Sequence, residues 1–388
     1  MEYRKRLIFR SACAGMLLFG IVLISLGSIT PDLREKLALN DLSAGTLFSV
    51  LPFGILAGSL FFGPIVDRYG YRILLAVSCI ILSLGFEGIA FSASKSLITV
   101  YVFMIGCSGG SINGATNALV SDISGKNKGA MLSLLGVFFG IGALGMPMVL
   151  GILKNRYTFE VILASVGILT AITGLVYLFL KFPPPKQSQG FPLSRSLKLF
   201  KDDVLILIAL FLFFQSSFEG VTNNWTTSYL ISQLSITKSN ALFALSSFVA
   251  GMTIMRLITG SMLRTVSEQK ILYFSFALIF SGLLVIKTSG GFFMSASGLF
   301  ILGTGLACGF PIMLGLVGNR YAELSGTAFS LVLTVGLIGN MLVNYIMGII
   351  ASKSGMNHMI TIDFVELAIL ALLATIIFRK LNFQTIKH

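Results

Sequence analysis

Twelve long apolar runs divide this chain, and they limit the folds it can adopt. A helix needs about 20 apolar residues to cross a bilayer, and the runs have this scale. Their bounds are 8–29, 42–64, 73–94, 98–121, 129–153, 159–181, 204–231, 239–263, 271–287, 292–318, 326–351 and 359–379. Of the 388 residues 55% are hydrophobic and 11% are charged, which excludes a water-soluble enzyme and a disordered chain. We predict an all-α integral membrane protein with twelve transmembrane helices.

The basic residues predict how these spans are oriented. The chain has 28 Lys+Arg against 15 Asp+Glu, a net charge of +13. The charges fall between the apolar runs, so we interpret them as topology signals and expect no nucleic-acid partner. The side of the N-terminus has 19 basic residues and the other side has 8, with Arg256 inside the eighth span. We therefore predict two cytoplasmic termini in a plasma membrane, in particular a bacterial inner membrane, and a monomer within the lipid bilayer.

The chain is predicted to consist of two related halves. Residues 182–203, FPPPKQSQGFPLSRSLKLFKDD, are Pro-rich and polar, and we interpret them as a cytoplasmic linker between six-helix bundles at 1–181 and 204–388. A shift of 197 residues superimposes seven glycine pairs: Gly54/Gly251, Gly63/Gly260, Gly85/Gly282, Gly106/Gly303, Gly129/Gly326, Gly142/Gly339 and Gly151/Gly348. Glycine marks close helix contacts in membranes, so the halves are expected to share their packing and to be pseudo-symmetric.

The loop between spans 2 and 3 has the most specific motif, GPIVDRYGYR at 63–72. Gly63 allows a close helix approach, Gly70 permits a tight turn, and Asp67 can accept from helix N-terminal amides or pair with a cation. The loop closely resembles the signature loop of the major facilitator superfamily. That resemblance implies a conformational latch on the cytoplasmic side, formed by Gly63, Asp67, Arg68, Gly70 and Arg72.

The second half has only a degenerate copy of this latch. The equivalent stretch begins at Arg256 and keeps Gly260, but it has Arg264 where Asp67 would fall. Arg256 is included among the predicted latch residues.

Carboxamides in three spans are candidates for binding a polar substrate. Those of spans 4 and 11 lie four residues apart, and Gln215, Glu219 and Asn223 of span 7 fall at i, i+4 and i+8 with Asn224 beside them, so each set follows one face of its helix. Buried amides in lipid need protein or water partners. Interhelical hydrogen bonds are the alternative for these residues, and an aromatic belt is the alternative for the single tryptophan. The predicted substrate-binding residues are Asn113, Asn117, Gln215, Asn223, Asn224, Trp225, Asn340 and Asn344.

Glu219 is the predicted proton-coupling residue. It shares a helix face with Gln215 and Asn223 in span 7, and an intramembrane carboxyl must be paired, hydrated or protonated. A static pair with Arg256 is the alternative. Glu87 in span 3 is the second candidate for coupling, although a structural or outer-interface role is favoured for it.

Within the superfamily the chain resembles the fucose–galactose–glucose:proton symporter group. The resemblance rests on Glu219, Trp225 and Tyr229 in span 7, on the Asn-rich span 4, and on SGTAFSLVLTVGLIGN at 325–340. There are departures from that group, since span 1 has no acid and no acid separates the span-4 asparagines. The resemblance implies alternating access through a cavity lined by spans 1, 4, 7 and 10.

The leading functional hypothesis is therefore a secondary transporter of a small polar solute, in particular a sugar, by proton symport. Sodium is the alternative coupling ion, and no other cofactor or metal is expected. A proton-driven exporter of hydrophobic drugs or lipids is the alternative transporter. A non-transporting receptor or scaffold is the alternative of another class. An enzyme is not expected, because the only two histidines are His358 and His388 and no phosphate-binding loop is present.

Overall fold

The computed structural model describes residues 4–37, 41–125, 127–153, 156–185, 199 and 201–385. Helices account for most of these residues, and no strand occurs among them. The α-helices are α1 (Lys5–Leu37), α2 (Asp41–Tyr69), α3 (Tyr71–Phe91), α4 (Lys95–Ile123), α5 (Lys128–Leu153), α6 (Phe159–Phe179), α7 (Asp203–Leu234), α8 (Lys238–Met262), α9 (Glu268–Lys287), α10 (Phe292–Leu306), α11 (Gly309–Arg320), α12 (Ser325–Ser354) and α13 (Met359–Thr385).

The described residues contain twelve segments long and apolar enough to cross a membrane. The predicted fold class is confirmed. Several helices extend beyond the predicted spans because apolarity marks only the part inside the hydrocarbon, whereas backbone hydrogen bonding continues past it.

The tenth span is broken into α10 and α11, although the sequence predicted one run over 292–318. The break falls at Ala307 and Cys308, just before Pro311. A proline ring clashes with the carbonyl four residues earlier and cannot donate a backbone hydrogen bond. Residue 307 is that position, so Pro311 accounts for the interruption.

The helices form two compact units. The first contains Met1–Gly125, Leu135–Leu193 and Tyr321–Ser330, and the second contains Lys126–Leu134, Ser194–Arg320 and Leu331–His388. In the first unit α4 packs against α1, α2 and α3, and α3 packs against α6. In the second unit α10 packs against α8 and α9, and α7 packs against α13. The predicted boundary at 182–203 stays a prediction, since residues 186–198 and 200 lie outside the described residues.

Equivalent glycine contacts occur in both units. The position that a Cβ would take on Gly54 lies 2.6 Å from the carbonyl oxygen of Phe103, and on Gly251 it lies 2.3 Å from that of Phe300. Phe300 follows Phe103 by the repeat offset of 197 residues. The same relation holds for Gly106 against Leu51 and Gly303 against Phe248. The glycine repeat thus records shared close contacts between neighbouring helix backbones.

Candidate functional site

The span-7 stripe begins with Gln215, which is buried in the second unit. Its Nε2 donates to Glu219 Oε1 at 3.0 Å and to the carbonyl oxygen of Leu306 at 2.9 Å. Leu306 is the last residue of α10, next to the break in the tenth span. Gly309 leaves room for this side chain, because a Cβ there would lie 2.4 Å from Gln215 Oε1. Gln215 therefore connects the carboxyl of Glu219 to the broken helix.

Glu219 also lies near a cation. Arg256 on α8 interacts electrostatically with Glu219, and both side chains are half-buried. Asn223, one turn further along α7, is exposed and donates to the backbone carbonyl of Glu219 at 2.8 Å. The carboxyl thus accepts a hydrogen bond from an amide and interacts with the charge of a guanidinium, and both favour its charged form against the cost of burial.

A second group of polar side chains joins α7 to α12. Asn344 Oδ1 accepts from Asn224 Nδ2 and from Trp225 Nε1, each at 3.0 Å. Asn340 Nδ2 donates to the carbonyl oxygen of Ser216 at 2.9 Å. Gly220 makes this contact possible, because a Cβ there would lie 2.4 Å from Asn340 Nδ2. The structure therefore brings Asn224 and Trp225 of span 7 together with Asn344 of span 11, which in turn contacts Asn340.

The two asparagines of α4 form their own pair in the first unit. Asn117 is buried, and its Nδ2 donates to the carbonyl oxygen of Asn113 at 2.8 Å and to Asn113 Oδ1 at 3.0 Å. These bonds run along one helix. Asn113 is half-buried and fixed in orientation by its neighbour.

Glu87 makes a helix contact of its own within the first unit. It projects from α3 toward α6, where its Oε1 lies 2.7 Å from the position a Cβ would take on Gly167. A glycine that accommodates this carboxyl fits the structural role favoured for Glu87.

The latch loop forms a helix cap in the first unit. Asp67 is 1% exposed. Its Oδ1 accepts from the Gly326 amide at 3.2 Å, and its Oδ2 accepts from the amide and hydroxyl of Thr327 at 2.9 and 2.7 Å. Those amides begin α12, where the helix dipole favours an anion. Of the two partners predicted for Asp67, the structure shows helix N-terminal amides.

The other latch residues surround this contact. A Cβ on Gly63 would lie 2.5 Å from the carbonyl oxygen of Gly326. Gly70 adopts φ +82° in the turn between α2 and α3, as predicted. Arg68 and Arg72 are exposed, and the Arg68 guanidinium lies 5.2 Å from the ring centroid of Tyr69.

Arg256 contacts other residues of the second unit through both its backbone and its side chain. Its backbone carbonyl accepts from the Ser133 hydroxyl at the start of α5, and its side chain interacts with Glu219. The side-chain contact matches the alternative weighed for Glu219.

Two buried acids on α13, Asp363 and Glu366, were missed by the sequence reasoning. Their signal was present in the run MITIDFVELAIL at 359–370, where two carboxyls interrupt an apolar segment. Lys128, whose Nζ donates to the carbonyl of Gly318, was missed as well. Among the described residues, no three His, Cys, Asp or Glu side chains come together as a metal site.

The fold is that of an integral membrane protein, and a family match places it among transporters of small molecules. A family profile for the Major Facilitator Superfamily matches residues 12–344. The chain belongs to the Major Facilitator Superfamily.

Individual relatives are distant but cover nearly the whole chain. The glucose/mannose transporter GlcP of Bacillus subtilis is 23% identical over 342 residues, covering 85% of this chain and 84% of GlcP. A crystal structure of the Escherichia coli fucose:proton symporter FucP matches with a TM-score of 0.80 at 16% identity, covering 95% of this chain and 98% of FucP. The proton:xylose symporter XylE matches with a TM-score of 0.77 at 14% identity, covering 96% and 94%. The solved structures show the fold.

Proposed function

We propose that this transporter moves a small polar organic solute, in particular a sugar, by alternating access with proton symport. The observation that carries the proposal is the group of amides and one indole that joins α7 to α12, on the same helix as the Glu219 carboxyl and its Gln215 partner. Neutral hydrogen-bonding groups of this kind suit the hydroxyls of a sugar. The names of GlcP, FucP and XylE support a sugar as the substrate class.

Trp225 and Asn344 are the proposed centre of recognition. The indole N–H is held by Asn344 Oδ1 at 3.0 Å, which fixes the ring plane and prepares it to stack on a sugar face. Asn113 and Asn117 are proposed to contribute substrate contacts from the first unit. An anionic substrate would require cations, and the span-7 network contains one intramembrane arginine, which already faces Glu219.

Glu219 is proposed to be the coupling carboxyl. Its Oε1 accepts a hydrogen bond from Gln215 Nε2, and the charge of Arg256 favours its ionised form. Protonation would weaken both interactions and free the Gln215 amide beside the break in the tenth span. Substrate binding and proton binding would then act on the same group of side chains.

Latch formation at Asp67 is proposed to hold one conformation of the cycle. Its three hydrogen bonds to the start of α12 would break as the opposite conformation forms.

The protein is proposed to lie in a plasma membrane with both termini in the cytoplasm.

Paired transport assays on reconstituted protein test this proposal. Counterflow and pH-gradient-driven uptake are measured in proteoliposomes against a panel of radiolabelled hexoses and pentoses. Glu219→Gln retains the side-chain shape, so we expect exchange to persist and gradient-driven accumulation to be lost. Glu87→Gln is the matched control and should retain accumulation.

Other outcomes would redirect the assignment. Accumulation by Glu219→Gln would move coupling elsewhere, with Glu87 the next candidate, and uptake driven only by sodium would contradict proton coupling. Resistance to hydrophobic compounds without sugar exchange would favour the exporter. Binding with no exchange in any assay would favour a receptor.

A further inference from the structure

Helix α13 contains two acids that the proposed transport site does not use. Asp363 and Glu366 lie three residues apart, so they share one face of the helix. Asp363 is 0% exposed and Glu366 is 3% exposed. Acids inside a transmembrane segment are rare and are commonly functional.

Three of the four carboxyl oxygens of Asp363 and Glu366 have no hydrogen-bond partner among the described residues. The Ser217 hydroxyl of α7 donates to Glu366 Oε1. The other Glu366 oxygen and both oxygens of Asp363 have no hydrogen-bond partner among the described residues. The two carboxyls also interact electrostatically with each other. Three unpartnered oxygens are therefore buried in one small region between α7 and α13.

The neighbouring helices supply no compensating ion pair among the described residues. On α7, Tyr229 interacts electrostatically with Asp363. On α9, Lys287 lies 5.8 Å from the ring centroid of Phe364. Other titratable groups on or beside this helix include Tyr273, which hydrogen-bonds Thr375 at 2.9 Å, His358 in the turn before α13, and Lys380, which pairs with Asp203 of α7 at 2.6 Å. Neither carboxyl forms a salt bridge with any of them.

Glu219 is separate from this group. It follows Ser217 by two residues on α7, and its own partners are Gln215 and Arg256. Residues two apart do not share a helix face. Ser217 thus contacts the α13 pair while Glu219 contacts the transport network, although one helix holds both.

Protonation reduces both energetic costs of burying this pair, the desolvation of a carboxylate and the repulsion between two carboxylates. A desolvated carboxylate without a partner is strongly disfavoured, and two adjacent carboxylates repel each other. A carboxylic acid is neutral and has one O–H donor, which a neighbouring carboxyl oxygen can accept. Proton uptake adds one H⁺ to one carboxylate oxygen and requires no other reactant.

We propose that Asp363 and Glu366 form a proton-binding site, distinct from Glu219, that holds at least one proton at neutral pH. Ser217 connects this site to α7, so loss of the proton would be felt by the helix that also contains Glu219. The proposal goes beyond sugar transport and does not depend on the substrate.

Infrared difference spectroscopy of the full-length protein in lipid tests the site. The C=O stretching band of protonated carboxyls is recorded at neutral and alkaline pH, in a Glu87→Gln/Glu219→Gln background that removes the other intramembrane candidates. We expect the Glu87→Gln/Glu219→Gln protein to retain the band, and we expect the band to be lost when Asp363→Asn and Glu366→Gln are added. Ser217→Ala should shift the band without removing it. Asp203→Asn, at an exposed acid that pairs with Lys380 at 2.6 Å, is the control and should change nothing.

Clear results would overturn the proposal. If the Glu87→Gln/Glu219→Gln protein shows no such band, the proposal is wrong. This test needs no substitution on α13, so it holds even if the Asp363→Asn/Glu366→Gln protein fails to fold. A band unaffected by those two substitutions would also overturn the proposal. Loss of the band on adding sodium chloride at constant pH would make this a cation site instead. A protein that transports no sugar would contradict the proposed function and leave the infrared result unchanged.

Discussion

Two charged side chains, one in each unit, contact opposite ends of neighbouring helices. In the first unit the Asp67 carboxylate accepts from the amides of Gly326 and Thr327, which begin α12. In the second unit Lys128 Nζ donates to the carbonyl of Gly318, in the last turn of α11. A helix is positive at its N-terminus and negative at its C-terminus. Each charged side chain therefore matches the helix end that it contacts.

The hydroxyl contacts beside these charges are conserved across the repeat within this chain. Ser330 Oγ donates to the carbonyl of Ser59 at 2.6 Å, and Ser133 Oγ donates to the carbonyl of Arg256. Ser330 and Arg256 follow Ser133 and Ser59 by 197 residues. The two regions thus repeat their packing but not their charge. At the position equivalent to Asp67 the second unit has Arg264, so the aspartate is not repeated.

Removing the anion should have the largest effect. Asp67→Asn keeps the shape but loses charge-assisted hydrogen bonds worth about 1.5–3 kcal/mol, so we expect a conformational shift of roughly 10- to 150-fold. Transport should slow while substrate affinity stays nearly unchanged. Accessibility labelling of introduced cysteines measures the shift, with Asp203→Asn as the control. An unchanged labelling pattern would contradict the latch.

Alanine substitution tests whether Gly63 and Gly260, which are equivalent in the repeat, are packed equally closely against their neighbours. A Cβ on Gly63 would lie 2.5 Å from a backbone oxygen, whereas on Gly260 the nearest atom, the carbonyl oxygen of Ala130, is at 3.3 Å. Gly63→Ala should destabilise the protein by about 1–3 kcal/mol through overpacking. Gly260→Ala should be near neutral, because alanine also favours the helix by about 1 kcal/mol. Thermal unfolding in detergent measures both, and equal losses would show that the two contacts are equally tight.

Removing the cation should have a smaller effect than removing the anion. Lys128→Met keeps the apolar stem and loses an interaction with a helix C-terminus worth about 0.3–2 kcal/mol. The same cysteine labelling measures the shift, and Lys201→Met, at an exposed lysine, is the matched control. A shift larger than that of Asp67→Asn would reverse the assignment of the stronger contact.

The smallest effects should come from the paired serines. Ser133→Ala and Ser330→Ala each remove one interhelical hydrogen bond, worth about 0.6 kcal/mol in a membrane protein. Thermal unfolding midpoints should fall by similar small amounts. A large loss in only one of the two would show that the repeat does not share this contact energetically.

Much of this architecture could be predicted from local sequence. The twelve spans follow from apolar runs, and the positive φ of Gly70 follows from a short turn between two helices. The contact of Asp67 with helix amides was one of two predicted partners. Identifying these amides as the start of α12 required the structure, because they lie 259 and 260 residues away in sequence.

The polar partners could not be assigned in the same way. Asn344 meets Trp225 across 119 residues, and Glu366 meets Ser217 across 149. Transmembrane helices are apolar on nearly all faces, so their periodicity does not show which face meets protein and which meets lipid. The partner of Glu366 could therefore be identified only once α7 was placed beside α13.

The sequence by itself determined that the chain spans a membrane with twelve helices and that its halves are related. The bilayer offers no hydrogen-bond partners, so each span must satisfy its backbone locally, and local composition is enough to reveal it. The tertiary structure decided which polar side chains meet, including the α7 and α12 network, the opposite charges at Asp67 and Lys128, and the buried pair on α13. The contacts between helices, such as Trp225 with Asn344 and Ser217 with Glu366, join residues far apart in the chain, and only helix packing brings them within hydrogen-bond distance.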